Sequence, residues 1–63
     1  MPMVSIKIAK GRSLDQKREL VSSVTQAIAK AVDVDPKKIW IHLDEFEPHN
    51  FATGGRLLGD KSV

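Results

Sequence analysis

Pro2 has the most distinctive chemistry in the chain, because it follows a Met1 of initiator type and directly precedes an alternating apolar segment. Removal of a methionine ahead of a small residue leaves proline with a free secondary amine, and free α-amino groups titrate at about 7.7 to 8.0. An apolar site with a neighbouring cation disfavours the protonated form further, so such an amine can exchange protons near neutrality. The alternative is structural: proline opens an edge strand, where its missing N–H costs nothing. Arg12 presents a planar donor fork that can hold a carboxylate through two parallel hydrogen bonds, or it is a solvated surface side chain. Trp40, the only tryptophan, is either a subunit-interface anchor or an aromatic pocket wall. Phe51 either shields a pocket or tethers the last segment. His42 reads as a packed or hydrogen-bonded strand residue. Asp44 and Glu45 are adjacent on a strand, so they face opposite sides and read as solvated charges rather than as a catalytic pair.

Other chemistries lack their residues. The chain has no cysteine, hence no thiol nucleophile and no disulfide, and His42 and His49 have no cysteine partners for a structural zinc site. It contains no phosphate loop and no metal-ligand cluster. The formal charge of +2 comes from scattered side chains, which implies neither nucleic acid nor a membrane surface. Apolar runs are four residues or fewer, with no signal-peptide core, so the expected location is the cytoplasm.

Several elements must position these residues. Met3 to Ala9 alternates, with Val4, Ile6 and Ile8 on one face and Met3, Ser5 and Lys7 on the other, which predicts a strand. Ser13 and Gln16 form a capping-box pattern that opens a helix. From Leu14 onward Leu20, Val21, Val24, Ala27, Ile28, Ala31 and Val32 recur at helical spacing, with Lys17, Arg18, Ser22, Gln26 and Lys30 on the opposite side. Pro36 restricts Asp35, so the helix is expected to end near Asp33. A second strand follows, with Ile39, Ile41 and Leu43 facing the helix and Trp40, His42, Asp44 and Phe46 turned away. A right-handed crossover then pairs the strands in parallel. The stretch from Glu47 to Val63, with Gly54-Gly55 at its centre, predicts a loop and a short hairpin.

The expected fold class is therefore α+β, a single domain over residues 1–63 in which a β-α-β unit with a parallel two-stranded sheet carries a C-terminal hairpin. A chain of 63 residues removes only roughly 60% of its unfolded surface from water. Without disulfide or metal, association of identical chains is the remaining way to complete a core.

Taken together, Pro2, the Gly11-Arg12-Ser13 turn, Asp15-Gln16-Lys17, the strand ending Asp44-Glu45-Phe46, and Phe51 ahead of Gly54-Gly55 resemble the 4-oxalocrotonate tautomerase family along nearly the whole chain. The resemblance implies a hexamer, arranged as a trimer of dimers, that needs no metal or cofactor. It implies an isomerase of aromatic degradation in which the amino-terminal proline moves a proton between oxygen and carbon of an enol, with 2-hydroxymuconate-like diacids as substrates. Pro2 is then the general acid/base, Arg12 the carboxylate-binding residue and Phe51 the apolar wall that keeps the amine neutral. A second family arginine falls at Trp40, which has one N–H and no charge. That loss is worth on the order of 3 kcal/mol, by analogy with an oxyanion-hole donor. It opens two alternatives, in which Arg56 substitutes or the substrate is another 2-hydroxydienoate or an aryl enolpyruvate stacked on Trp40. Thr53 stands where related dehalogenases place a water-activating carboxylate, which disfavours hydrolytic dehalogenation. The competing reading is a non-catalytic oligomeric binding or scaffold module of the same fold.

Overall fold

The computed structural model describes residues 2–60. The expected removal of Met1 concerns a residue outside that range. Strand β1, Met3–Ala9, leads through Gly11 into helix α1, Leu14–Val32, then through the 3-10 turn Pro36–Lys38 into strand β2, Trp40–Phe46. Beyond it lie a 3-10 turn Pro48–Asn50, the short strands β3, Ala52–Thr53, and β4, Arg56–Leu57, and a last 3-10 turn, Leu58–Asp60.

The β-α-β unit forms for the local reasons its sequence contains. The Gln16 amide donates to Ser13 Oγ at 3.1 Å and the Ser13 amide donates back to Gln16 Oε1 at 2.9 Å, closing the capping box. The helix stops at Asp33, which adopts the left-handed conformation at φ 57 and ψ 56. Its own amide and that of Val34 both return to the Ala29 carbonyl, the latter at 3.2 Å, which satisfies the frayed end. Asp35 then caps the next turn by accepting the Lys37 amide at 2.9 Å, with Pro36 at the first position, where a missing donor is harmless. β1 and β2 pair in parallel, Met3 opposite Trp40 through to Ala9 opposite Phe46. β3 and β4 pair antiparallel across Gly54-Gly55, whose φ values of 61 and 80 both require the left-handed region that glycine tolerates.

The core lies between α1 and one face of β1 and β2. Val4, Ile6, Ile8, Ile41 and Leu43 on the sheet and Leu20, Val21, Val24 and Ile28 on the helix are the apolar residues of that layer, and each is only half-buried. Among the described residues none is fully buried. The radius of gyration is 14.8 Å, against about 11 Å for a compact chain of this length. Every residue of β3, its turn and β4 is exposed, so the hairpin forms an arm packed chiefly on its flanking turns. Among the described residues, no helix is long and apolar enough to cross a membrane.

The covered stripe of α1 differs from the one expected. Leu14 and Val32, at 61% and 56% exposed, stand clear at its two ends, and Ala27 and Ala31 are exposed as well. A 19-residue helix is about 28 Å long, whereas a seven-residue strand spans roughly 20 Å. The helix therefore overhangs the sheet. Lys17, expected on the polar side, is instead half-covered beside Leu20 and Val21. Its aliphatic stem lies along the stripe while its ammonium reaches Glu45 Oε1 at 2.8 Å.

Candidate active site

Gly11 leaves β1 at φ 122, a conformation that disfavours a side chain, and so turns the chain from strand to helix within a few residues. That turn puts Arg12 over an open groove of about 350 Å³ lined also by Ile8, Gln16, Lys17 and Leu20. Arg12 is exposed and has no ion-pair partner among the described residues. Its guanidinium is therefore available to an incoming anion above an Ile8–Leu20 floor. Phe51 belongs to the same end of the sheet, since its ring stacks on Phe46, the last residue of β2, at a centroid distance of 4.9 Å and an interplanar angle of 29°. Phe51 thus tethers the arm and, being 47% exposed, still presents ring surface to the outside.

Pro2 and Trp40 occupy the other end. The Trp40 amide donates to the Pro2 carbonyl at 3.1 Å, extending the parallel ladder one residue before β1. Pro2 is half-buried, while Trp40 opposite Met3 is 59% exposed and Met3 is 78% exposed, so the outer face begins with an apolar pair. Pro2 and Trp40 therefore lie at one end of the β1–β2 sheet and Arg12 and Phe51 towards the other, roughly 20 Å along β1, with Phe51 beside Phe46 on the outer face and Arg12 over the helix-side groove. Within one chain Pro2 and Arg12 thus flank opposite ends of β1.

The remaining polar candidates sort by face. Asp44 accepts Lys7 on the outer face at 3.3 Å, and Glu45 takes Lys17 on the helix face at 2.8 Å, so the two carboxylates do diverge. Glu45 is not a solvated charge, however, since its side chain is only 29% exposed. His42 is exposed on the outer face rather than packed. Arg56 lies in the arm opposite Thr53. Lys17 is the groove residue that sequence reading missed; its spacing of three and four from Leu20 and Val21 was the available signal.

The family of tautomerase enzymes has a model that matches residues 2–61. The chain belongs to the tautomerase family. A probable tautomerase of Halalkalibacterium halodurans is 38% identical over 61 residues, covering 97% of this chain and all of that protein. The 2-hydroxymuconate tautomerase of Bacillus subtilis is 35% identical over 60 residues, covering 95% of this chain and 97% of its own. Among solved structures, the heterohexamer 4-oxalocrotonate tautomerase from Chloroflexus aurantiacus superposes with a TM-score of 0.91 at 30% identity, over 95% of this chain and 97% of that one. Membership of the tautomerase family supports an isomerase-type role, and the parallel β-α-β unit with its C-terminal hairpin is the fold of these tautomerases.

Proposed function

We propose that the chain is the subunit of a cofactor-independent tautomerase that converts a carboxylate-bearing enol to its keto isomer. The Pro2 amine, freed by loss of Met1, takes the proton from the enol oxygen and returns one to a carbon of the same conjugated system. Arg12 of a second copy holds the carboxylate. Proton transfer of this kind needs a base whose pKa lies near the working pH. A secondary amine flanked by Trp40, an incoming Phe51 and a guanidinium meets that condition, because apolar surroundings and a nearby cation both disfavour its charged form.

The observation that carries this reading is the separation of Pro2 from Arg12 along β1. Together with a subunit that has no fully buried residue among those described, it calls for a site assembled between copies. The relative from Chloroflexus aurantiacus is a heterohexamer by its own description, and a hexamer built as a trimer of dimers is the assembly proposed here. Substrates are drawn from the 2-hydroxymuconate class, as the name of the Bacillus subtilis relative suggests, and from related 2-hydroxydienoates or aryl enolpyruvates that stack on Trp40.

Mass spectrometry of the protein as isolated from cells, joined to an ultraviolet ketonisation assay on wild type and Pro2→Ala, tests the reading. Loss of Met1 with a large fall in rate for Pro2→Ala is expected. A retained Met1, or equal rates for the two proteins, would favour the binding or scaffold module instead.

A further inference from the structure

Arg12 stands between two anchors. On one side the Lys10 amide donates to the Phe46 carbonyl at 2.9 Å, and on the other Ser13 opens the helix by capping the Gln16 amide. The Lys17 amide donates to the Ser13 carbonyl at 3.0 Å, while its ammonium crosses to Glu45 of β2 at 2.8 Å, with side chains only 28% and 29% exposed. Glu45 is the ladder partner of Ile8, and Ile8 and Lys17 line the groove together with Arg12. A carboxylate of the protein itself therefore borders the groove that offers a guanidinium to a substrate carboxylate. The other acids of this end are engaged elsewhere, Asp15 with Arg18 at 2.8 Å and Glu47 with Lys10 at 3.9 Å.

We propose that Lys17 is a positioning residue for Arg12: by engaging Glu45, it keeps an internal carboxylate from competing with substrate for the guanidinium. The proposal rests on the tautomerase reading, in which Arg12 holds the substrate carboxylate. An anion tethered at the edge of the groove acts at a high effective concentration, and a guanidinium fork binds any carboxylate that reaches it through paired, charge-assisted bonds. Released from Lys17, Glu45 occupies or screens the group that substrate needs. Lys17 prevents this without touching substrate itself, because its ammonium lies between helix and sheet while the reacting end of the substrate sits at Pro2 and Trp40 of another copy.

Lys17→Met removes the cation and keeps an apolar stem. KM for phenylenolpyruvate is expected to rise roughly threefold to tenfold at low ionic strength, the scale of a partly screened charge pair, with the effect falling on KM rather than kcat. Adding Glu45→Gln to Lys17→Met is expected to bring KM back toward wild type, although the pair stays broken. A pair that serves only as a strut between α1 and β2 leaves the double variant at least as impaired as Lys17→Met, and that result overturns the proposal. Thermal unfolding supplies the contrast, since stability follows the loss of the pair in both variants whereas KM does not. A second arm needs no turnover. Cinnamate, a carboxylate with no enol, is titrated while the Arg12 side-chain resonance is followed. Weaker binding by Lys17→Met, restored in the double variant, is expected; equal binding by wild type and Lys17→Met overturns the proposal. Wild type that binds cinnamate at Arg12 but ketonises no enol defeats the tautomerase reading and leaves this inference standing, whereas an Arg12 resonance that responds to neither cinnamate nor enol defeats the assignment of Arg12 and this proposal with it. Should Lys17→Met fail to assemble, Glu45→Gln alone serves: it removes the competing anion, so KM is expected to stay at or below the wild-type value, and a rise overturns the proposal.

Discussion

The Trp40 amide donates to the Pro2 carbonyl at 3.1 Å, so Pro2 and Trp40 are joined through backbone, and the indole takes no part in that link. Replacing the indole leaves that hydrogen bond intact. Trp40→Arg is therefore expected to fold as wild type does, since the side chain is 59% exposed in the subunit, and to raise kcat/KM for 2-hydroxymuconate by about tenfold or more through a charge-assisted donor. Steady-state ketonisation of the diacid measures it, with phenylenolpyruvate as the control that gains nothing or loses.

The groove over Ile8 and Leu20 depends on Arg12 for its free charge. Arg12→Ala is expected to weaken kcat/KM by about two orders of magnitude, the worth of a bidentate charge-assisted contact, with Arg12→Lys recovering only part because an ammonium cannot present two parallel donors. Kinetics with a substrate carrying one carboxylate checks both variants. Equal behaviour of Ala and Arg would mean that the guanidinium is only a surface group.

Much of the framework was legible before the structure. The two-residue period of β1, the Ser13–Gln16 box and the Gly54-Gly55 turn are local signals, and each is present as read because nearby atoms alone decide it. Lys17 escaped notice because a polarity pattern classes residues by their charged tip, while the tip here reaches beyond a methylene stem that lies in the covered stripe. Leu14 and Val32 share the apolar spacing of that stripe yet stand clear of it, because periodicity says nothing of how far the opposing sheet extends. The gap between Pro2 and Arg12 was implicit in a seven-residue strand, yet the two residues become separate half-sites only when the ends of β1 and β2 are placed in register.

Helix α1 owes its start to a reciprocal pair of side chain to backbone bonds. Ser13→Ala removes one of them and is expected to lower subunit stability by about 1 kcal/mol. Because the same turn positions Arg12, substrate affinity is expected to weaken alongside. Thermal unfolding and KM for a monocarboxylate enol, measured on the same preparation, decide whether the two losses travel together.

At the other end of the helix, Asp33 holds a left-handed conformation that glycine adopts without steric cost. Asp33→Gly is expected to stabilise by up to about 1 kcal/mol, and Asp33→Val to destabilise by at least that much, since a β-branched residue tolerates positive φ poorly. Melting temperatures of the three proteins at matched concentration provide the comparison. Activity is expected to stay within a factor of about two for Asp33→Gly, because the cap lies at the helix end remote from Arg12.

The most direct measurement mixes two inactive variants. Pro2→Ala and Arg12→Ala subunits are denatured together in equal amounts, refolded, and assayed against each homogeneous variant. Sites that take Pro2 from one copy and Arg12 from another recover roughly a quarter of wild-type activity, one half times one half for random assembly. Mixtures no more active than the separate variants, in assemblies shown to contain both chains, would contradict a site shared between the two ends of β1.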